Sequence, residues 1–436
     1  MKNIVIIILS FWVVNPINAQ NLLEVYKSGS VVLTPDAEYA RSNNWNEIFS
    51  TYYDTIYNKP LGQRKSLKLM PDGSVVVNHS YKDFYSLFAP DGSFEKEFSL
   101  DKKPGVPQKH VYNIAGIVNG NTFYSDLDNL GNMMCFDFDG NYRKKLKLNY
   151  MTKQMIALPN GKIAVVGWVL WTKKIREFVC IIDYDTNDQQ DIWERFAERP
   201  SPEDQSKRPL FHYSYVFPAG GMMSCSTMPF AKLPGFGPPP QIASVGNNLI
   251  IAVPSTGEIL VFDLDGNQIS KDKITWATNF VSVEEQKEIQ EKAIEKYKNL
   301  ISDSNSSGHD SEKGSSDWNP DLKSAYGHMI PQMEADLKNI TKPIPIPYFS
   351  TILKDSDDNI LFFEYPKDEG GNKFNVWIYQ NDGAFICQSS FRCADYDLQI
   401  NPAKMVFHDG YIYSLQALKQ AAGVPLRLVR FKVAGS

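Results

Sequence analysis

The sequence predicts an all-β fold, a six-bladed β-propeller with a helical insertion. Three observations lead there. A strand–turn–strand unit recurs along the chain with a period of about fifty residues. Its turns carry Asp-Gly and Asn-Gly pairs, which supply the positive φ of tight hairpins. Aromatic residues make up 13% of the 436 residues, a content that suits pleated, half-buried strands. Apolar residues at 43% and charged residues at 22% are ordinary for a globular chain and argue against global disorder or a polytopic membrane protein. The net charge of −5 leaves no basic surplus to hold a phosphate backbone, so no nucleic-acid partner is expected.

The chain opens with Lys2, an apolar run from Ile4 to Val14 broken only by Ser10, and small residues at Asn18-Ala19. This layout predicts a signal peptide over 1–19 and an exported, periplasmic or secreted protein. The run is too short to cross about 30 Å of hydrocarbon as a helix, and no later run is long enough, so no membrane span is expected in the mature chain. Residues 20–436 then form one propeller domain.

One clear copy of the unit runs from Ser66 to Leu100. It turns at Pro71-Asp72-Gly73 and Pro90-Asp91-Gly92 and places strands at Val75-Val76-Val77 and Phe84–Phe88. Further copies start near 112, 154, 241, 350 and 404, with second turns at Asp139-Gly140, Thr186-Asn187, Asp265-Gly266 and Asp382-Gly383. The sixth copy has three strands, ending in Leu426–Val433. The segment Leu22–Leu33 reads as an orphan strand that completes it and closes the ring, removing open sheet edges. A β-sandwich, or a seventh blade built from Phe211–Met228, is the competing arrangement.

Two stretches break the period. Residues 194–240 hold a polar segment, a hairpin-like stretch at Phe211–Met228 and a Pro-Gly loop around Phe236. Residues 275–342 read as helical. Ser282 and Glu285 form a capping box, and Ile289, Ala293, Ile294, Tyr297, Leu300 and Ile301 share one face. A Ser/Gly/Asp-rich tip at 303–317 reads as disordered. A second helix, over Asp321–Ile340, is expected to be disturbed at Pro331.

In the second half the chain resembles bacterial exported six-bladed propellers of the NHL and TolB type. The likeness rests on the order Pro239-Pro240-Gln241-Ile242, Glu258–Gly266, the helix opening at Val283-Glu284-Glu285, Pro345-Ile346-Pro347-Tyr348-Phe349 and Asp357-Asp358-Asn359. The resemblance implies fold and compartment. It implies no catalytic residues.

Candidate chemistry is sparse. The turn carboxylates Asp72, Asp91, Asp139, Asp265, Asp382 and Asp409 precede Gly and read as Asx turns. Asp355, Asp357 and Asp358 offer oxygen ligands for a divalent cation such as calcium, without the spacing of a dedicated calcium loop. His79, at a strand end, and His212, beside Tyr213 and Tyr215, are candidate ligand contacts. Trp168, Trp171 and Phe236 are candidate aromatic surfaces for a glycan or peptide. Cys387 and Cys393 are a candidate disulfide in an oxidising compartment, whereas Cys135 and Cys180 read as buried thiols. No catalytic residue is assigned. The sequence points to an envelope binding module that recognises a protein or glycan at one mouth of the ring. The alternative is a metal-dependent hydrolase or lyase using the central channel.

Overall fold

The computed structural model describes residues 22–49, 53–54, 59–60, 66–78, 84–99, 112–118, 121–126, 132–137, 141–169, 172, 174–198, 209–218, 222–228, 230, 237–306, 322–365 and 373–435. The expected signal peptide over 1–19, His79, Trp171, Phe236 and most of the 303–317 tip lie outside the described residues.

The fold is mostly β, built from small antiparallel meanders in an arrangement consistent with a β-propeller. The first sheet comprises Ser66–Leu69, Val75–Asn78, Phe84–Phe88 and Phe94–Ser99, and the second Tyr112–Val118, Asn121–Asp126, Asn132–Asp137 and Tyr142–Lys147. The third comprises Met151–Ala157, Lys162–Val169, Lys174–Asp183 and Gln189–Glu198, and the fourth Gln241–Val245, Asn248–Val253, Glu258–Asp263 and Gln268–Lys273. Thr351–Lys354, Ile360–Phe363, Lys373–Tyr379 and Phe385–Arg392 make the fifth. The sixth runs Met405–His408, Tyr411–Leu418, Leu426–Gly435 and ends on Val31–Pro35 from the other end of the chain. That strand pairs antiparallel with Leu426–Gly435, and Val31 and Val32 also pair in parallel with Phe391 and Arg392 of the fifth sheet.

Apolar alternation on both faces puts a core between each pair of neighbouring sheets. Val76 and Tyr85 meet Met134 and Phe136 between the first and second. Similar clusters lie between the second and third, third and fourth, fourth and fifth, and fifth and sixth sheets. One more brings Leu67, Val75 and Phe88 against Tyr413, Leu415 and Leu428, between the sixth sheet and the first.

Glutamines stitch the first strands together. Gln154 Nε2 donates to Ile242 O (2.8 Å) and Gln154 Oε1 accepts from Ile242 N (3.0 Å). One sheet further on, Gln241 Nε2 donates to Ser350 O (2.6 Å) and Gln241 Oε1 accepts from Ile352 N (2.8 Å). A carboxamide thus stands in for a peptide group across a gap that no backbone ladder spans. Gln241→Ala is expected to destabilise by about 1–3 kcal/mol, because it leaves an amide and a carbonyl of the next sheet unpaired. Urea unfolding measures this, and a change within error would show that water replaces the carboxamide.

The structure corrects the N-terminal reading. Leu22–Lys27 is a helix (α1) and only Val31–Pro35 is strand. Leu22, Val25 and Tyr26 are spaced as one helical face and are all buried, and Gly29 at φ 80° makes the turn between the two elements. After a short helix, α2 (Trp45–Ile48), the remaining helices among the described residues belong to the second insertion. They are α3 (Val283–Ser306) and α4 (Leu322–Asn339), which continues through Pro331.

The capping box forms: Glu285 N donates to Ser282 Oγ (3.1 Å) and Ser282 N to Glu285 Oε2 (2.8 Å). The buried face of α3 is rotated from the expected one. Gln286 and Gln290 are fully buried with Ile294, whereas Ile289 and Ala293 are half-buried. Two core glutamines do not register in an apolar pattern.

The first insertion begins later than position 194, because Gln189–Glu198 is a long outer strand. Within it, His212–Val216 and Met222–Ser226 form a separate two-stranded hairpin, packed on α3 and α4 through Tyr213, Phe217, Ile294, Met329 and Met333.

Cys387 and Cys393 are not bridged; all five cysteines are free. Cys387 lies within the extended strand Phe385–Arg392 and Cys393 just past its end. Six residues of strand hold them about 20 Å apart, against the ~7 Å upper limit for a bridge. Cys135 and Cys180 are buried, as expected, and burial pushes their thiols up to about 11 and about 12.

Candidate functional site

Both period-breaking insertions meet at one place. There a cleft of ≈930 Å³ opens between α3, the end of the 212–226 hairpin, the segment 276–281 and the proline-containing entry 346–348 into the fifth sheet. Its floor is aromatic. Trp276 leaves the outer strand of the fourth sheet and stacks on Trp377 of the fifth, centroids 4.3 Å apart at 10°. Tyr348 meets the edge of Trp276 at 6.4 Å, and Phe230 meets Tyr365 edge-on at 5.7 Å. Phe280 lines the same space and is 60% exposed.

One carboxylate on this floor is held in a fixed orientation. Trp377 Nε1 donates to Glu364 Oε1 (2.7 Å) and Asn375 Nδ2 to Glu364 Oε2 (3.2 Å). Both donors are neutral. On the opposite wall Glu288 pairs with Lys292 at 2.6 Å, and Glu285 is engaged by the cap of α3. Thr278, Asn279 and Lys296 add further polar lining.

Behind this wall a buried carboxylate fixes the helices. Asp336 Oδ2 on α4 accepts from Leu210 N (2.8 Å), Phe211 N (3.4 Å) and Tyr213 Oη (2.6 Å). Gln290 Nε2 on α3 donates to the same Tyr213 oxygen and to Met333 O (3.0 Å). Burial drives the Asp336 carboxyl above its ordinary range, against the lowering effect of these donors.

The expected site residues scatter. Trp168 is only 4% exposed, so it offers no open stacking surface; its Nε1 donates to the buried Glu177, and Lys153 Nζ sits 4.0 Å over its ring. Arg195 Nε pairs with the other Glu177 oxygen at 2.5 Å, so Trp168, Glu177 and Arg195 form one cross-strand rung. Tyr213 is buried in the Asp336 network. Tyr215 packs on Phe217 at 5.1 Å and on His328 at 5.3 Å. His212 reaches the edge of the cleft: its Nδ1 bonds Ser226 Oγ (2.8 Å), and Ser226 lines the rim.

Three of the turn carboxylates, Asp72, Asp91 and Asp382, act as Asx acceptors, whereas Asp265 pairs with Lys162. Asp72 Oδ1 accepts from Ser74 N, Asp91 Oδ1 from Ser93 N and Asp382 Oδ1 from Ala384 N, each at 2.9 Å. Asp355 caps its own turn through Asn359 and accepts the Tyr26 hydroxyl at 3.0 Å. Among the described residues no three His, Cys, Asp or Glu side chains converge as a metal-binding group, and no helix is long and apolar enough to cross a membrane.

Sequence reasoning missed the cleft residues Trp276, Tyr348 and Glu364. The available signal was their position: Trp276 and Tyr348 stand at the two borders of the helical insertion. No family model and no curated protein matches the chain. Among solved structures, a Bacteroides fragilis protein classed as exported is similar at 10% identity over 95% of this chain and 97% of that one, TM-score 0.46. A DUF4221-family member from Bacteroides vulgatus follows at 11%, covering 94% of this chain and 100% of that one, TM-score 0.43. A virginiamycin B lyase from Staphylococcus aureus is similar at 11% over 85% and 94%, TM-score 0.35. These likenesses are weak and bring no activity to this chain.

Proposed function

We propose that this chain is an exported, six-bladed propeller that serves as a binding module of the bacterial envelope, with its ligand site in the cleft beneath the helical insertion. The blade count is supported by six sheets and six inter-sheet cores, the last joining the sixth sheet to the first. The two-stranded 212–226 hairpin, packed on helices, favours six over seven. Export is supported by the pattern of residues 1–19.

The cleft carries the functional reading. Loops on a rigid scaffold are where recognition concentrates, and here both long insertions converge on one concave, aromatic-floored space. The metal-dependent hydrolase or lyase has no observation of its own to carry it.

Filling the cleft tests the site. Ala293 is half-buried on the cleft wall, and Ala293→Trp is expected to abolish ligand binding while leaving the unfolding midpoint within a few degrees of wild type. Calorimetric titration against envelope glycans and peptides reads the outcome. A ligand that binds this variant as tightly as wild type would move the site elsewhere on the ring.

A further inference from the structure

We propose that the cleft takes a glycan, with a sugar ring laid against Trp276 and hydroxyls donated to Glu364; this rests on the cleft being the ligand site. The indole of Trp276 is fixed by its stack on Trp377, and its remaining accessible surface lines the cleft. A rigid aromatic surface suits the apolar C–H face of a pyranose, and little side-chain freedom is lost on contact.

Glu364 supplies the complementary polar contact. A carboxylate has about four lone-pair sites. Trp377 and Asn375 occupy one on each oxygen, which leaves both oxygens able to accept from a ligand. No cation pairs with Glu364 among the described residues. An apolar ligand would strip water from this carboxylate and give nothing back. A pair of adjacent hydroxyls replaces that water donor for donor.

Charge balance separates a glycan from a basic peptide, which would also satisfy Glu364. Glu288 is neutralised by Lys292 and Glu285 is used by the helix cap. Counted over the lining, Glu285, Glu288 and Glu364 face Lys292 and Lys296, so the cleft carries a net charge of only −1, and its two lysines work against a cationic chain. At ≈930 Å³ it lies at the upper end of the range of about 300–1,000 Å³ for small-molecule sites, and a short oligosaccharide fits better than a single ring.

The test is calorimetric titration of the full protein with neutral gluco-, manno-, xylo- and N-acetylglucosamine oligosaccharides, and in parallel with oligolysine peptides. At least one oligosaccharide is expected to bind saturably. Glu364→Gln, which preserves size, should weaken that binding by about tenfold or more, the loss of a charge-assisted hydrogen bond. Phe280→Ala, at an exposed position where folding is not at stake, should weaken it several-fold. Oligosaccharide binding indifferent to Glu364→Gln overturns the proposal. Cleft binding of oligolysine alone overturns the glycan and leaves the cleft as ligand site. If no ligand of any class is sensitive to Ala293→Trp, both readings fall together.

Discussion

Asp336→Ala is expected to release the helical insertion from the sheets, which stay folded. The substitution leaves Leu210 N–H, Phe211 N–H and the Tyr213 hydroxyl with no acceptor in a buried setting. That should cost about 3 kcal/mol or more. The helices and the 212–226 hairpin share their own apolar cluster, separate from the six inter-sheet cores, so the loss falls on that unit first. Hydrogen exchange should quicken over the 212–226 hairpin and over α3 and α4 and remain slow in the sheets. Ligand binding in the cleft should fall with it, since α3 forms one wall.

The matched variant Asp336→Asn separates shape from charge. All three donors converge on the single oxygen Oδ2, and an amide oxygen placed there accepts them equally well. Because burial raises the folded-state pKa of Asp336, the folded protein binds this proton more tightly than the unfolded chain. The group therefore favours the fold most at low pH, and that contribution is lost as pH rises from the unfolded value of about 3.9 through the folded one. Wild type minus Asp336→Asn should show this slope in urea unfolding from acid to neutral pH. At neutral pH the Asn variant should equal or exceed wild type. If it is as damaged as Asp336→Ala, the charge itself is required and the account fails.

The sheets were legible in the sequence because each one advertises its turns. The chemistry of those turns was only half-read. In Asp137–Asn141, Asp263–Asn267 and Asp355–Asn359 the acceptor is the first Asp, which takes the Asn amide hydrogen at 2.8 Å in each case. The Asp next to Gly drew the attention instead. An Asp followed four residues later by Asn was available as a repeat signal and marks the second, fourth and fifth sheets.

What joins the sheets was not legible. Gln154 and Ile242 lie 88 residues apart, and nothing local to either announces a partner. The cleft failed for the same reason, because Trp276, Tyr348 and Glu364 come together only after the fourth and fifth sheets and the helical insertion have packed. Trp168 misled because a tryptophan at the end of a strand reads as exposed. Its cross-strand neighbour Glu177, an acid directly before the apolar run Phe178–Ile182, was the clue to a buried rung.

Leu33→Asp should be among the most damaging single changes in the chain. Leu33 is 1% exposed and pairs with Val433, in the core between the fifth and sixth sheets. An unpaired carboxylate there should cost about 4 kcal/mol or more. Thr34, the next residue, is exposed, so Thr34→Asp controls for charge and should change stability by about 0.5 kcal/mol or less. The contrast matters because this strand lies between Leu426–Gly435 and Phe385–Arg392 and joins strands from the far end of the chain. Asp36 anchors it, with Arg430 Nε and Nη2 at 3.0 and 2.6 Å. Burial opposes ionisation of Asp36, but Arg430 wins and holds its carboxyl below the ordinary range. This ion pair therefore supports the fold above an unfolded pKa of about 3.9 and is lost as pH falls through the lower folded value. Denaturant unfolding and size-exclusion chromatography read the result. If Val31–Pro35 closes the ring, Leu33→Asp exposes the edge of Leu426–Gly435 and should produce aggregates as well as a lower midpoint. A monomeric variant of near-normal stability would mean that the sheets hold together without the strand.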